Sequence, residues 1–368
     1  MKVALVVHDF DPAFGQGSYC LEIVRRLREH CQFTIHSAAF RVPEWDDVTR
    51  HLVPTWRANV VTTIFSFLAG VGPSLRHAAP DLIHAQGLTC WGADVITAHV
   101  CNAARLRHMG RSSWRARTFT RCIAPLERAF YRQRRARHLI AISGVLAREL
   151  QAEYGWQRPL SVIHHGTDAE RFRPPANAAE QRALRQRFQV PLDAWTWLFM
   201  GEAVKGLAQV VDQLAQFPQA HLLVVTRSAT EPYRTQAAAL GIGSRITFHG
   251  FDPQPEFLHR AADVFVYPSN YDTFGLVVTE AMASGLAVVA GRNIGAAELI
   301  TSGRDGMLCD PEDPKSLAAA LDQLASDPGA ARNLAAAGRQ VIQRQSWDAC
   351  AAATLQVYEE ALRAKLTR

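Results

Sequence analysis

The stretch from Tyr267 to Gly291, YPSNYDTFGLVVTEAMASGLAVVAG, limits what this chain can fold into more than any other. The apolar run leading into it stops at Pro268-Ser269, as a buried strand does on reaching a loop. Leu276, Val277, Met282 and Ala283 supply the apolar positions of a helix, and Gly285 supplies a C-terminal stop. Leu286 to Ala290 reads as the next buried strand. Short buried strands alternating with helices build a parallel sheet with right-handed crossovers, so the fold class is α/β.

The same stretch carries two carboxylates, Asp272 and Glu280, with Gly275 between them. Asp272 falls in the loop before the helix, where backbone N–H groups face outward, and Glu280 lies about two turns further on. A helix start with an open glycine turn attracts phosphate. A carboxylate in that helix can accept hydrogen bonds from ribose hydroxyls. The pair suits a nucleotide carrying a second polar group such as a sugar. A solvated Asp in a turn beside an ordinary helical Glu fits the spacing equally well.

Elsewhere the alternation continues. Strands are expected at Val3–Val7, Phe33–Ser37, Asp81–His84, Asp94–Ala98 and His138–Ser143, with Arg41–Arg57 loop-rich. A second series is expected at Thr196–Met200, Leu222–Thr226, Ile246–His249 and Val264–Tyr267. The 368 residues are too many for one ordinary core and suit two α/β domains. Pro174-Pro175 and the polar segment after them mark the junction. The expected division is 1–173, a linker at 174–194, a second domain at 195–345, and a final helix at 346–368 crossing back to the first.

Met1-Lys2 runs directly into a strand, so no leader is expected, and the longest apolar run, Val60–Val71, is too short to span a membrane. Seven scattered cysteines without a C-x-x-C pair point to reduced thiols in a cytoplasm. No metal-site spacing is present, and His164-His165 reads as loop structure. The net charge of +6 is concentrated: eleven arginines and one acid, Glu127, lie between His99 and His138. Within the Arg-rich 105–137 segment, Phe119, Ile123, Leu126 and Phe130 recur at helical spacing among Arg115, Arg121, Arg128, Arg132 and Arg135. Such a helix can lie on an anionic membrane surface, or it can face a core with its basic side in water.

The Tyr267–Gly291 stretch resembles the acidic signature of retaining GT-B glycosyltransferases of the family 4 type, with Asp272 where a Glu is usual. Gly15-x-Gly17-x-Tyr19 after the first strand resembles that family's amino-terminal glycine loop. Gly201-Glu202-Ala203-Val204-Lys205-Gly206 resembles its diphosphate loop, with Glu202 in place of Arg, so Arg227 is a candidate replacement cation. LSVIHHG at Leu160–Gly166 matches a further motif, with His165 where Asn is usual. His99, closing the strand VITA, stands where the family has a histidine near the transferred sugar. The resemblance implies two facing Rossmann-like domains with a cleft between them. It implies transfer of a sugar from a nucleotide-sugar to an acceptor hydroxyl with retention of configuration, and needs no metal or other cofactor. The implied catalytic residues are Asp272, His99 and Lys205. The implied donor contacts are Gly15, Gly17, Lys205, Thr273, Phe274, Gly275, Leu276 and Glu280. His99 to Asp168 looks most like bacterial lipopolysaccharide-core glucosyltransferases. That implies a glycan or glycolipid acceptor and a protein peripheral to the inner face of the cytoplasmic membrane, with no nucleic-acid partner. Two rivals remain: a nucleotide-sugar epimerase of the same fold, and a nucleotide-sugar-binding protein weakened by Glu202 and Asp272.

Overall fold

The computed structural model describes residues 1–13, 15–42, 44–108 and 114–367, and for 114–116 the backbone only. Residues 109–113 of the basic segment, with Arg111, and the side chain of Arg115 lie outside the described residues. The chain forms two compact units, one of residues 1–166 with 347–368 and one of residues 167–346.

The first unit holds seven parallel strands: β1 (Lys2–Val6), β2 (Gln32–Ser37), β3 (Thr49–Leu52), β4 (Leu82–Gln86), β5 (Val95–Ala98), β6 (His138–Ala141) and β7 (Leu160–Val162), in the order β3-β2-β1-β4-β5-β6-β7. The second holds six: β8 (Trp195–Met200), β9 (Ala220–Val225), β10 (Ile246–His249), β11 (Val264–Tyr267), β12 (Ala287–Gly291) and β13 (Met307–Cys309), in the order β10-β9-β8-β11-β12-β13. Central strands such as Val95–Ala98 and Ala220–Val225 are buried at every residue, because helices cover both faces of a parallel sheet. In each sheet the strand order reverses beside the first strand, between β1 and β4 and between β8 and β11. Open parallel sheets leave a crevice at the carboxyl ends of the strands at that point.

Two expectations are corrected, and one strand is added. Arg41–Arg57 is not simply loop: Thr49–Leu52 pairs in parallel with β2 as an edge strand too polar for its sequence to announce. Met307–Cys309 adds a further edge strand. Residues 174–194 are no free linker, since the helix Ala178–Arg187 buries Leu184, and with Phe188 and Val190 it joins the second unit's core. Arg185 fixes that helix by hydrogen bonds to the carbonyls of Ala261 (3.0 Å) and Leu192 (2.6 Å) and an ion pair with Asp263 (2.6 Å). The helix Trp347–Leu366 belongs to the first unit.

The basic helix, Trp114–Tyr131, turns Ile123 and Phe130 into the core and leaves Arg121 and Arg128 exposed. Its single acid is structural. Glu127 is buried and accepts hydrogen bonds from Asn102 N (2.8 Å), Asn102 Nδ2 (3.2 Å) and the Tyr154 hydroxyl. Burial pushes its carboxyl up to about 7. Arg132 donates to the Tyr154 carbonyl at 3.0 Å and Arg135 approaches Asp94 at 4.0 Å, so part of the arginine cluster is used inside the unit. Among the described residues no helix is long and apolar enough to cross a membrane, and all seven cysteines are free.

Both cores hold neutral histidines. Burial lowers His36, His221 and His259 to about 4 and His84 to about 3. The unfolded chain, with histidines near the ordinary value of about 6.5, takes up protons first as pH falls. These histidines therefore contribute stability that is full above about pH 6.5 and lost on acidification towards 4. Glu127 and Glu280, both raised to about 7, act in the opposite sense between about 4.5 and 7. The lowered histidines, which also include His8, His99, His138 and His165, outnumber the two raised glutamates, so unfolding takes up protons on balance and stability falls with acidification. Urea midpoints should fall steeply from pH 6.5 to 4.5; a flat profile would show that these rings ionise freely in the folded protein.

Candidate functional site

In the second unit the sequence elements singled out above meet at the crevice beside β8 and β11. Gly201–Gly206 leaves the carboxyl end of β8, and Pro268–Gly275 leaves that of β11. Lys205 ends a single 3-10 turn, Ala203–Lys205, that points it across to the second loop. Its Nζ donates to the Tyr271 carbonyl at 2.7 Å and pairs with Asp272 Oδ2 at 3.2 Å. The Tyr267 hydroxyl donates to the same oxygen at 2.8 Å, and Phe274 N reaches Oδ1 at 3.3 Å. Asp272 is thus held by a cation, a phenol and an amide at once.

The loop itself is pinned. Gly295 N donates to Asp272 O (3.1 Å) and Ala296 N to Phe274 O (2.7 Å). Gly275 sits at φ +95, a conformation that residues with a Cβ rarely adopt, and from there the helix Leu276–Ala283 begins. Phe274 is buried, so among the expected donor contacts it offers only its backbone. Glu280 is half-buried in that helix and makes no side-chain hydrogen bond among the described residues. Burial holds its carboxyl up at about 7, against the pull of Arg171, whose own partner is Glu256 at 2.9 Å. Asp272 and Glu280 therefore differ: one is neutralised in place, the other is an acceptor with spare capacity. Glu202 is exposed and brings no positive charge. Arg227 stacks over Phe251, 3.9 Å from its ring centroid, and so is engaged beyond the neighbouring strand.

The first unit gathers a second cluster at its own reversal point. Gly17 lies in the helix Gly15–Leu27, and a Cβ there would stand 2.2 Å from the Asp11 carbonyl oxygen, so the glycine is required by loop closure. Gly15 has open space where a Cβ would go, and no such requirement applies to it. His99, just past β5, bonds through Nε2 to Gln86 Oε1 at 2.9 Å. With that oxygen accepting, His99 carries its proton on Nε2 and leaves Nδ1 as an acceptor. Its surroundings lower it to about 3, so it is neutral at ordinary pH. Gln86 continues to His84, which bonds to Thr97 Oγ1 and the Tyr358 hydroxyl, both at 2.7 Å. Tyr19 stacks on His165 and meets His99 edge-on, with ring centroids 5.2 and 5.3 Å apart. His165 is therefore a packed aromatic part of this cluster rather than plain loop. Among the described residues no group of three His, Cys, Asp or Glu could hold a metal ion.

Sequence reasoning gave no role to Tyr267, Tyr19 or Gln86. The signal available for Tyr267 was a polar tip on the last residue of an otherwise apolar strand.

The family model for glycosyl transferases group 1 matches residues 180–341, and that for Glycosyltransferase Family 4 matches residues 14–171. A D-inositol 3-phosphate glycosyltransferase of Xylanimonas cellulosilytica is 32% identical over 243 residues, 62% of this chain and 58% of that protein. The chain thus matches little more than half the length of this curated relative. Among solved structures, WaaG, a glycosyltransferase involved in lipopolysaccharide biosynthesis, superposes with a TM-score of 0.81 at 18% identity over 96% of this chain and 99% of that one. Anabaena HepE in complex with UDP-glucose gives 0.77 at 20% identity over 97% and 100%. These structures share the fold: two Rossmann-like α/β units of the GT-B type. The chain belongs to the group 1, family 4 glycosyltransferases. The epimerase alternative finds no support in these matches.

Proposed function

We propose that this chain transfers a sugar from a nucleotide-sugar to an acceptor hydroxyl, with retention of configuration and without a metal. The observation that carries the reading is the pairing of Lys205 with Asp272 on the loop that opens the Glu280 helix. In this reading Lys205 and the amides of the Gly275–Leu276 turn meet the donor diphosphate, and Glu280 takes the ribose hydroxyls. Asp272 faces the transferred sugar. His99, neutral with Nδ1 as an acceptor, is the first unit's candidate to take a proton from the acceptor hydroxyl. Stabilising charge as it builds on the departing diphosphate is the main catalytic task. With Glu202 in place of a cation, that task falls on Lys205 and the helix start. UDP-glucose bound to the related HepE fold makes a uridine nucleotide the first donor to try. The test is thermal shift against UDP-, GDP-, ADP- and TDP-sugars. One of them at about 100 times its dissociation constant should add roughly 2.7 kcal/mol of stability. No shift from any of the four would refute the donor assignment.

The acceptor we assign is a cell-envelope glycolipid met at an anionic membrane surface. Arg121, Arg128 and Arg134 are exposed, and residues 48–80 contain no acid. That acid-free run also exposes Trp56, Val60 and Phe65, apolar side chains of the kind that settle at a lipid interface. Wild-type protein should sediment with anionic liposomes at low salt and much less in high salt. Reversing the three arginines to Glu should abolish most of that binding while activity on a soluble acceptor survives. Indifference of the wild type to anionic liposomes would remove the membrane from the account.

A further inference from the structure

We propose that the second unit carries a separate binding site for a small amphipathic anion, at the edge of its sheet opposite the donor loop. A cavity of about 630 Å³ opens there, within the range that holds a small organic ligand. Trp195, Val264 and Ala287, which begin β8, β11 and β12, border it. Lys205 and Asp272 follow the other ends of β8 and β11, and the strands are parallel. The cavity and the donor loop are therefore at opposite edges of one sheet.

Its chemistry is specific. Pro174, Leu286 and Leu324 give apolar walls. Arg332 and Arg339 also line it, seven residues apart on the helix Pro328–Gln343 and so on one face. Neither forms an ion pair among the described residues, and Arg339 makes only a long hydrogen bond to the Ala283 carbonyl, 3.3 Å. The acid in the wall, Asp263, is already taken by Arg185 (2.6 Å) and Thr196 N (2.8 Å), so it does not cancel those cations. Apolar volume and two unmatched guanidinium groups select a compact apolar body bearing a carboxylate, phosphate or sulfonate.

Anilinonaphthalene sulfonate has that chemistry and reports apolar binding by fluorescence. Full-length protein should bind it saturably, one per chain. Arg332→Gln with Arg339→Gln should weaken binding at least fivefold, and Ala331→Trp, which fills the cavity, should abolish it. UDP, GDP, ADP and TDP should not displace it. Unchanged melting temperature and nucleotide binding identify the variants as folded, and the two act independently of each other. Non-saturable binding, binding indifferent to both variants, or displacement by a nucleotide would each overturn the proposal.

Discussion

Asp272→Asn should lower turnover about ten- to a thousandfold, roughly 1.4–4 kcal/mol of transition-state stabilisation, while donor affinity holds or improves. The amide keeps the size of the side chain, and its one oxygen can still accept either from Tyr267 or from Phe274 N, so the loop should keep most of its shape. What disappears is the charge 3.2 Å from Lys205. A lysine relieved of its carboxylate meets a diphosphate at least as well, which protects ground-state binding. A charge that matters only as the sugar becomes cation-like acts on the transition state. Steady-state kinetics should therefore show kcat falling while KM holds or drops. Asp272→Glu is informative in the other direction. Asp272 is already held on three sides, so a longer carboxylate should crowd the sugar or break the Tyr267 contact and slow turnover. A variant with Asn at wild-type speed would end the catalytic assignment.

Glu280→Ala should weaken binding of the bare nucleoside diphosphate by roughly 1.5–3 kcal/mol, the range for hydrogen bonds to a charged group. The full sugar donor should suffer equally, because the ribose is common to both. Glu280 contrasts here with Asp272, which is held by Lys205 and Tyr267. Glu280 has no hydrogen-bond partner among the described side chains, and burial holds it at about 7. A carboxylate that must lose a proton before accepting two hydroxyl bonds makes nucleotide affinity rise with pH through that value. Glu280→Gln, which accepts without titrating, should flatten this dependence.

Much of the second unit's site was legible because a loop following a buried strand, a glycine and two acids are local features. The helix Leu276–Ala283, its stop at Gly285 and the Lys205 loop all follow from neighbours in sequence. The pairing of Lys205 with Asp272 joins residues 67 apart in number and follows only from the strand order that sets β8 beside β11. Polarity misled in two places. Thr49–Leu52 reads as loop because an edge strand needs few apolar residues, and Pro174-Pro175 suggested a linker although Leu184 and Phe188 beyond it are core. His165 was read from its adjacency to His164, whereas its surroundings are the rings of Tyr19 and Trp347. Gly17 was assigned to the donor, and its tight approach to Asp11 gives it a structural duty that spacing could not reveal.

The central claim is that the loop and helix from Asp272 to Glu280 form a nucleotide-sugar donor site, and calorimetric titration of the nucleoside diphosphate tests it most directly. The wild type should bind one diphosphate per chain, more tightly at pH 8 than at pH 6, and Glu280→Ala should lose roughly ten- to a hundredfold in affinity. Equal diphosphate affinity in wild type and Glu280→Ala, with no pH dependence in either, would contradict the account.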